Sequence, residues 1–95
     1  MIRINADEAR RLVQGGATLL DVRTPQEYGQ AHLPGAVNLP LDALQSARGC
    51  IPDHAAPVVV YCHSGARAAR AAAVLEAGGW KQVYDLGPMD AWGKY

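Results

Sequence analysis

Two side chains in this sequence are equipped for nucleophilic chemistry, the thiols of Cys50 and Cys62, and their surroundings differ. Cys62 closes the run Val58-Val59-Val60-Tyr61-Cys62 and is followed at once by His63-Ser64-Gly65-Ala66-Arg67. The run is β-branched and apolar on both faces, as a strand at the centre of a parallel sheet must be. Ser64-Gly65 breaks it, and an alanine-rich helix begins. Ligands of open parallel sheets bind just beyond the carboxyl ends of the strands. The first N–H groups of a helix have no partner within it and point at whatever sits in the preceding loop. The sulfur of Cys62 is therefore expected inside a ring of donors suited to an anion. Gly65 lets the backbone curl close to it. A helix end supplies only roughly 0.3–1 kcal/mol, and one pKa unit requires ~1.4 kcal/mol. A persistent thiolate would thus need direct N–H bonds to sulfur as well, with help from Arg67 or His63. Arg67 either bonds loop carbonyls or faces the bound anion.

The plain alternative for Cys62 is a small core hydrophobe, which is what an isolated buried cysteine usually is. The order strand, cysteine, Ser-Gly, arginine, helix favours the anion cradle instead. Cys50 falls in a stretch, residues 48–57, that reads mostly as loop, and is expected to be incidental.

The rest of the chain alternates strands and helices, which predicts an α/β fold with a parallel sheet and helices on its faces. Ile2 and Ile4 alternate with polar neighbours, as in a short edge strand. Asn5 with Glu8 forms a capping-box pattern, opening a helix through Ala9, Leu12 and Val13 that stops at Gly15-Gly16. Residues 18–22 read as a buried strand. Thr24, Pro25 and Glu27 open a second helix. Leu33-Pro34-Gly35 makes a turn, residues 36–39 a short strand and residues 41–47 a short helix. The helix after Cys62 spans residues 66–77, and its alanines allow close packing on the sheet. A last strand over residues 82–86 and a short helix over residues 88–92 complete the pattern.

Composition bounds the function. Ninety-five residues make one small domain, residues 1–95. Nine basic side chains balance nine acidic ones, so charge gives no reason to expect nucleic acid or a membrane surface as partner. No apolar run reaches the ~20 residues of a membrane helix, and no signal peptide is visible, so a cytoplasmic location is expected. Two cysteines, without a Cys-x-x-Cys pair, suit neither a disulfide scaffold nor a common zinc site and fit a reducing compartment.

Three motifs together resemble the rhodanese homology domain, and more narrowly the small stand-alone bacterial members of that family. Leu20-Asp21-Val22-Arg23 with Glu27-Tyr28 and His32-Leu33-Pro34-Gly35-Ala36 is similar to the family's first signature. The segment from Val60 to Arg67 is similar to its active loop, and Leu86-Gly87-Pro88-Met89-Asp90-Ala91-Trp92 to its C-terminal signature. The resemblance implies a three-layer fold around a parallel sheet of about five strands. It also implies sulfur-transfer chemistry at Cys62, with His63, Ser64, Gly65, Ala66 and Arg67 forming the anion-binding loop. A donor such as thiosulfate would leave a persulfide on Cys62 for cyanide or a thiol to collect, with no metal or organic cofactor. The implied partners are small sulfur donors and acceptors, or a protein such as thioredoxin or a cysteine desulfurase. Ala31 stands where the family usually has glycine, and Gly87-Pro88 where it often has Gly-Gly, which puts turn geometry in question rather than chemistry.

The remaining side chains admit two readings each. Asp21 and Arg23 either support the loop from behind or, as the composition of the stretch favours, form a structural network with Glu27. His63 either attracts anionic donors or is an exposed loop residue. His32 either faces the site or packs in its turn. Trp80 and Trp92 are expected in the core or at its rim, and Arg70 adds positive potential or is solvated. Two other functions compete with sulfur transfer. A cysteine phosphatase of related fold would place five residues between cysteine and arginine, whereas this chain has four, a tighter ring that suits a single sulfur atom better than phosphate. A non-catalytic sulfur-carrier or regulatory module would share the fold without the turnover.

Overall fold

A computed structural model describes residues 1–93. The elements run β1 (Ile2–Arg3), α1 (Ala6–Gln14), β2 (Thr18–Asp21), α2 (Pro25–Gln30), β3 (Val37–Asn38), a 3₁₀ segment (Leu41–Ser46) leading into α3 (Ala47–Cys50), β4 (Val58–Cys62), α4 (Ala66–Ala77), β5 (Val83–Pro88) and a 3₁₀ turn (Met89–Trp92). The two capping boxes are formed as the sequence predicts. The Glu8 N–H donates to Asn5 Oδ1 at 2.9 Å, and the Asn5 N–H returns to Glu8 Oε1 at 3.0 Å. Thr24 and Glu27 repeat the exchange at the start of α2. One expectation is corrected. Residues 48–50 are not loop but the end of α3, because Ala47 is fully buried against the core and carries the preceding 3₁₀ segment on for one more turn.

The five strands form one parallel sheet in the order β1-β5-β4-β2-β3. β4 is central, and all five of its residues are buried, as its two-sided apolar sequence requires. Alternation along the strands sorts the core into two clusters. On one side, Leu20, Val22, Val58, Val60 and Cys62 pack with Ala68, Ala71, Ala72 and Leu75 of α4 and with Leu44, Ala47 and Ile51. On the other, Leu19, Val59 and Tyr61 pack with Ala9, Leu33, Met89 and Trp92. The molecule is thus three-layered, and Cys62 faces the α4 side. None of the helices among the described residues is long and apolar enough to cross a membrane.

The carboxyl edge of the sheet is tied together by a buried carboxylate. Asp21 ends β2 with none of its surface exposed. Its Oδ1 accepts the Arg23 backbone N–H at 2.9 Å, and its Oδ2 accepts Arg23 Nη2 at 2.7 Å and the Tyr61 hydroxyl at 2.7 Å. The same hydroxyl accepts the Leu33 N–H at 3.1 Å. Burial and the hydrogen bond to Asp21 together hold the Tyr61 phenol well above its usual pKa. Removing one member of such a network strands the others without partners in a dry interior. Asp21→Ala is expected to lower unfolding stability by about 3–5 kcal/mol, measured by urea denaturation; a loss below about 1 kcal/mol would show that the network contributes little.

Candidate active site

The handover from β4 to α4 takes three residues, His63, Ser64 and Gly65, which belong to neither element. Gly65 is the N-cap of α4, with φ of +105°, a backbone conformation that side-chain-bearing residues rarely adopt. It has no side chain with which to cap the helix. The sulfur of Cys62 takes that part. The Gly65 N–H donates to Sγ at 2.9 Å, and the Ala68 N–H, from the third residue of α4, donates to it at 3.3 Å. A thiol is a weak acceptor, and a charged sulfur is a far better one. Two donors converging on one sulfur at a helix N-terminus make a site that can accommodate an anionic sulfur. Cys62 is also fully enclosed. The plain reading and the cradle reading are thus both realised in part: the residue packs with the core, and the amides nevertheless turn to its sulfur. For a donor to touch Sγ the surroundings must move, and the exposed pair His63-Ser64, outside helix and strand, is the segment freest to do so.

The far side of the cradle is closed by β5. Pro88 lies opposite Cys62 in the β4–β5 register, after an irregularity between Val60 and Tyr61. A Cβ at Gly65 would sit 3.6 Å from Pro88 Cδ. Gly87 keeps the left-handed conformation, with φ of +86°. The departure at Gly87-Pro88 is therefore accommodated: the proline falls at the end of its strand, where its missing N–H costs little. Ala31 is accommodated for a different reason. Its φ of −167° is extended backbone open to any residue, and its carbonyl accepts Arg23 Nη2.

Arg67 neither bonds loop carbonyls nor stands free for an anion. Its Nη1 and Nη2 donate to the two oxygens of Glu27, at 2.7 and 2.9 Å, a bidentate pair across 40 positions of sequence. Glu27 Oε1 also receives the Thr24 N–H and hydroxyl, each at 3.1 Å. The Arg67 guanidinium, and after it the Thr24 amide, hold the Glu27 carboxyl down at about 2. The pair raises Arg67 in turn, with a smaller contribution from the charge of Cys62. Beside this pair opens a cleft of about 230 Å³ lined by Val22, Thr24, Pro40, Leu41, Asp42 and Arg67. Among the described residues, no three His, Cys, Asp or Glu side chains gather in a metal-binding group.

Comparison with known proteins identifies the family. A model of the rhodanese-like domain matches residues 5–95. The chain belongs to the rhodanese family. YqhL of Bacillus subtilis is 38% identical over 78 residues, a match spanning 81% of this chain and 61% of that protein. The thiosulfate sulfurtransferase GlpE of Pseudomonas paraeruginosa is 34% identical over 95 residues, 95% of this chain and 82% of that one. YrkF of Bacillus subtilis, whose name proposes a sulfur-carrier role, is 34% identical over 70 residues, 74% of this chain but 37% of that protein. Among solved structures, a rhodanese with anions from E. coli superposes with a TM-score of 0.80 at 30% identity, covering 84% of this chain and 95% of that one.

The rhodanese motifs read in the sequence converge on one edge of the sheet, but not every side chain does so in the role expected. Asp21 bonds both Arg23 and the Tyr61 hydroxyl, in a structural network on the face away from Cys62. Glu27 is not part of that network's hydrogen bonding; it reaches Arg67 instead. The sequence points Glu27 to the cap of α2 and to a network with Asp21 and Arg23; the cap is formed, but the network expectation is corrected, since the tertiary fold brings the carboxylate to Arg67. His63, Ser64 and Ala66 are exposed, and of the loop amides only that of Gly65 bonds sulfur. His32 packs rather than faces the site, stacked on Tyr28 with ring centroids 3.8 Å apart and Nδ1 2.9 Å from the Tyr28 carbonyl oxygen. Trp80 and Trp92 are buried, and Arg70 is exposed.

The depressed Glu27 sets a pH dependence with a definite sign. Its contribution to stability is complete above the ordinary value of 4.5 and is lost as pH falls toward about 2. The carboxyl carbon of Glu27, followed by NMR, is expected to titrate with a midpoint near 2 in the native chain and to return toward 4.5 in Arg67→Met; a native midpoint above 4 would mean the pair does not persist in solution.

Proposed function

We propose that the chain is a sulfurtransferase that carries a sulfane sulfur on Cys62. The observation that carries this reading is the pair of backbone N–H groups directed at one sulfur atom at the end of the central strand. In the loading step the Cys62 thiolate attacks the outer sulfur of thiosulfate. A new S–S bond forms, the bond between the donor's two sulfurs breaks, and sulfite leaves with the electron pair. In the unloading step an acceptor thiolate or cyanide attacks the outer sulfur of the persulfide, and the electron pair of the broken bond returns to Cys62. Both anionic forms of Cys62 benefit from donors that need no reorganisation. Arg67, its charge matched by Glu27, borders the loop and fixes the start of the helix. His63 stands exposed at the mouth, and Ser64, Gly65 and Ala66 supply the compact turn.

Four residues between Cys62 and Arg67 and membership of the rhodanese family support sulfur transfer over phosphate hydrolysis. The partners that fit are small sulfur donors and thiophilic acceptors, or a protein thiol such as thioredoxin or a cysteine desulfurase. Both cysteines are free thiols, which suits a reducing compartment such as the cytoplasm. One observation favours a second reading, a sulfur carrier or regulatory module with slow or no turnover of its own: the sulfur is fully enclosed.

The test separates the two. Incubated with thiosulfate and weighed without reductant, the protein is expected to gain one sulfur atom, mapped to Cys62, and to lose it again on adding cyanide at a rate that sustains turnover. Cys50→Ser should load normally and Cys62→Ser not at all. Loading without turnover would favour the carrier reading, and loading elsewhere or none would overturn both.

A further inference from the structure

The cleft beside Arg67 has a composition that selects among acceptors. We infer that it receives the sulfur acceptor, and that Asp42 makes it prefer small thiols bearing a positive charge, the aminothiols, over thiols bearing a carboxylate. The inference rests on the sulfur-transfer reading above and names the substrate class of its second step.

Position comes first. The Val22 N–H donates to the Tyr61 carbonyl at 3.2 Å, and the Val22 carbonyl accepts the Leu41 N–H at 3.1 Å. These two bonds set the cleft floor against the end of the strand that carries Cys62. Arg67, which also lines the cleft, is followed in α4 by Ala68, whose N–H holds the sulfur. The cleft therefore borders the loop through which the sulfur must be reached.

Size and walls come next. A volume of about 230 Å³ corresponds to roughly seven or eight waters at liquid density. It is below the range of drug-sized sites and suits a molecule of a few heavy atoms. Val22, Pro40 and Leu41 offer apolar contact for a short carbon chain.

Charge decides the class. Of the two charged residues in the lining, Arg67 is neutralised by Glu27 through two hydrogen bonds. Asp42 is exposed and makes no ion pair or side-chain hydrogen bond among the described residues. The cleft thus presents one uncompensated negative charge beside the apolar Val22, Pro40 and Leu41. An ammonium group on the acceptor gains from it and a carboxylate is repelled, each by a fewfold factor at contact distance in a solvated setting. The competing explanation is that Asp42, in the first turn of the 3₁₀ segment, only favours the helix dipole. That role would alter stability and leave acceptor preference untouched.

The experiment starts from protein loaded with thiosulfate and verified by mass spectrometry to carry the Cys62 persulfide. Discharge is then timed with cysteamine and with mercaptoacetate, at low and high salt. The wild-type chain is expected to discharge faster to cysteamine, relative to the intrinsic reactivity of the two thiols with a free persulfide. In Asp42→Asn that preference should fall about tenfold, in Asp42→Glu it should be retained, and in Asp7→Asn, a charge change on α1 across the sheet, it should not move. High salt should weaken the wild-type preference. A persulfide that forms and then discharges with the same preference in Asp42→Asn as in the wild type would overturn this inference alone. Failure of Cys62 to load would overturn the transfer reading and this inference together.

Discussion

The N–H groups of Gly65 and Ala68 end on the same sulfur atom, and most of what is distinctive in this fold serves that meeting. A helix begins with N–H groups that need acceptors, and the usual solution is an oxygen-bearing side chain at the N-cap. Here the N-cap is a glycine in a left-handed conformation, and the acceptor is a thiol three residues upstream at the end of the central strand. That arrangement demands that β4 stop, turn and enter α4 within a few residues. It also demands that Gly65 have no side chain and that β5 leave room beside it. Each demand is met by a particular residue, and each weakens if that residue changes. The helix end is incompletely served by a neutral thiol and better served by a charged one, so packing and reactivity draw on the same two bonds.

Two carboxylates flank this point with different tasks. Asp21, buried on the far face of the sheet, binds Arg23 and Tyr61 and fixes where the strands end. Glu27, at the surface, caps α2 and holds Arg67. Through Glu27 the start of α2 is fastened to the start of α4. The positive charge that the sequence places next to the loop is therefore partly spent before any substrate arrives. What remains to attract an anion is the backbone itself, and the cleft outside carries the opposite sign at Asp42.

Much of this was legible in the sequence for identifiable reasons. The central strand announced itself by five β-branched or apolar residues in a row, and α4 by an alanine pattern ending at Gly78-Gly79. Both ends of each are where local composition puts them. The capping boxes at Asn5 and Thr24 were equally plain, because their partners are three residues apart. Sequence was silent where the partner is distant. Nothing local says that Arg67 meets Glu27, 40 positions earlier, or that Tyr61 donates to Asp21. Residues 48–50 read as loop because four residues are too few to show a helical period; burial of Ala47 decides their conformation. Enclosure of Cys62 was likewise unreadable, since a strand-end cysteine is consistent with either exposure or burial until the loop above it is built.

The central claim, that two backbone amides hold the charged sulfur, is tested most directly by their own resonances. In ¹H–¹⁵N spectra of the reduced and thiosulfate-treated chain, the Gly65 and Ala68 amide protons are expected to show the largest shifts of any in the protein, moving together as the persulfide forms. A spectrum in which sulfur loads while those two amides stay in place and others move would contradict the account.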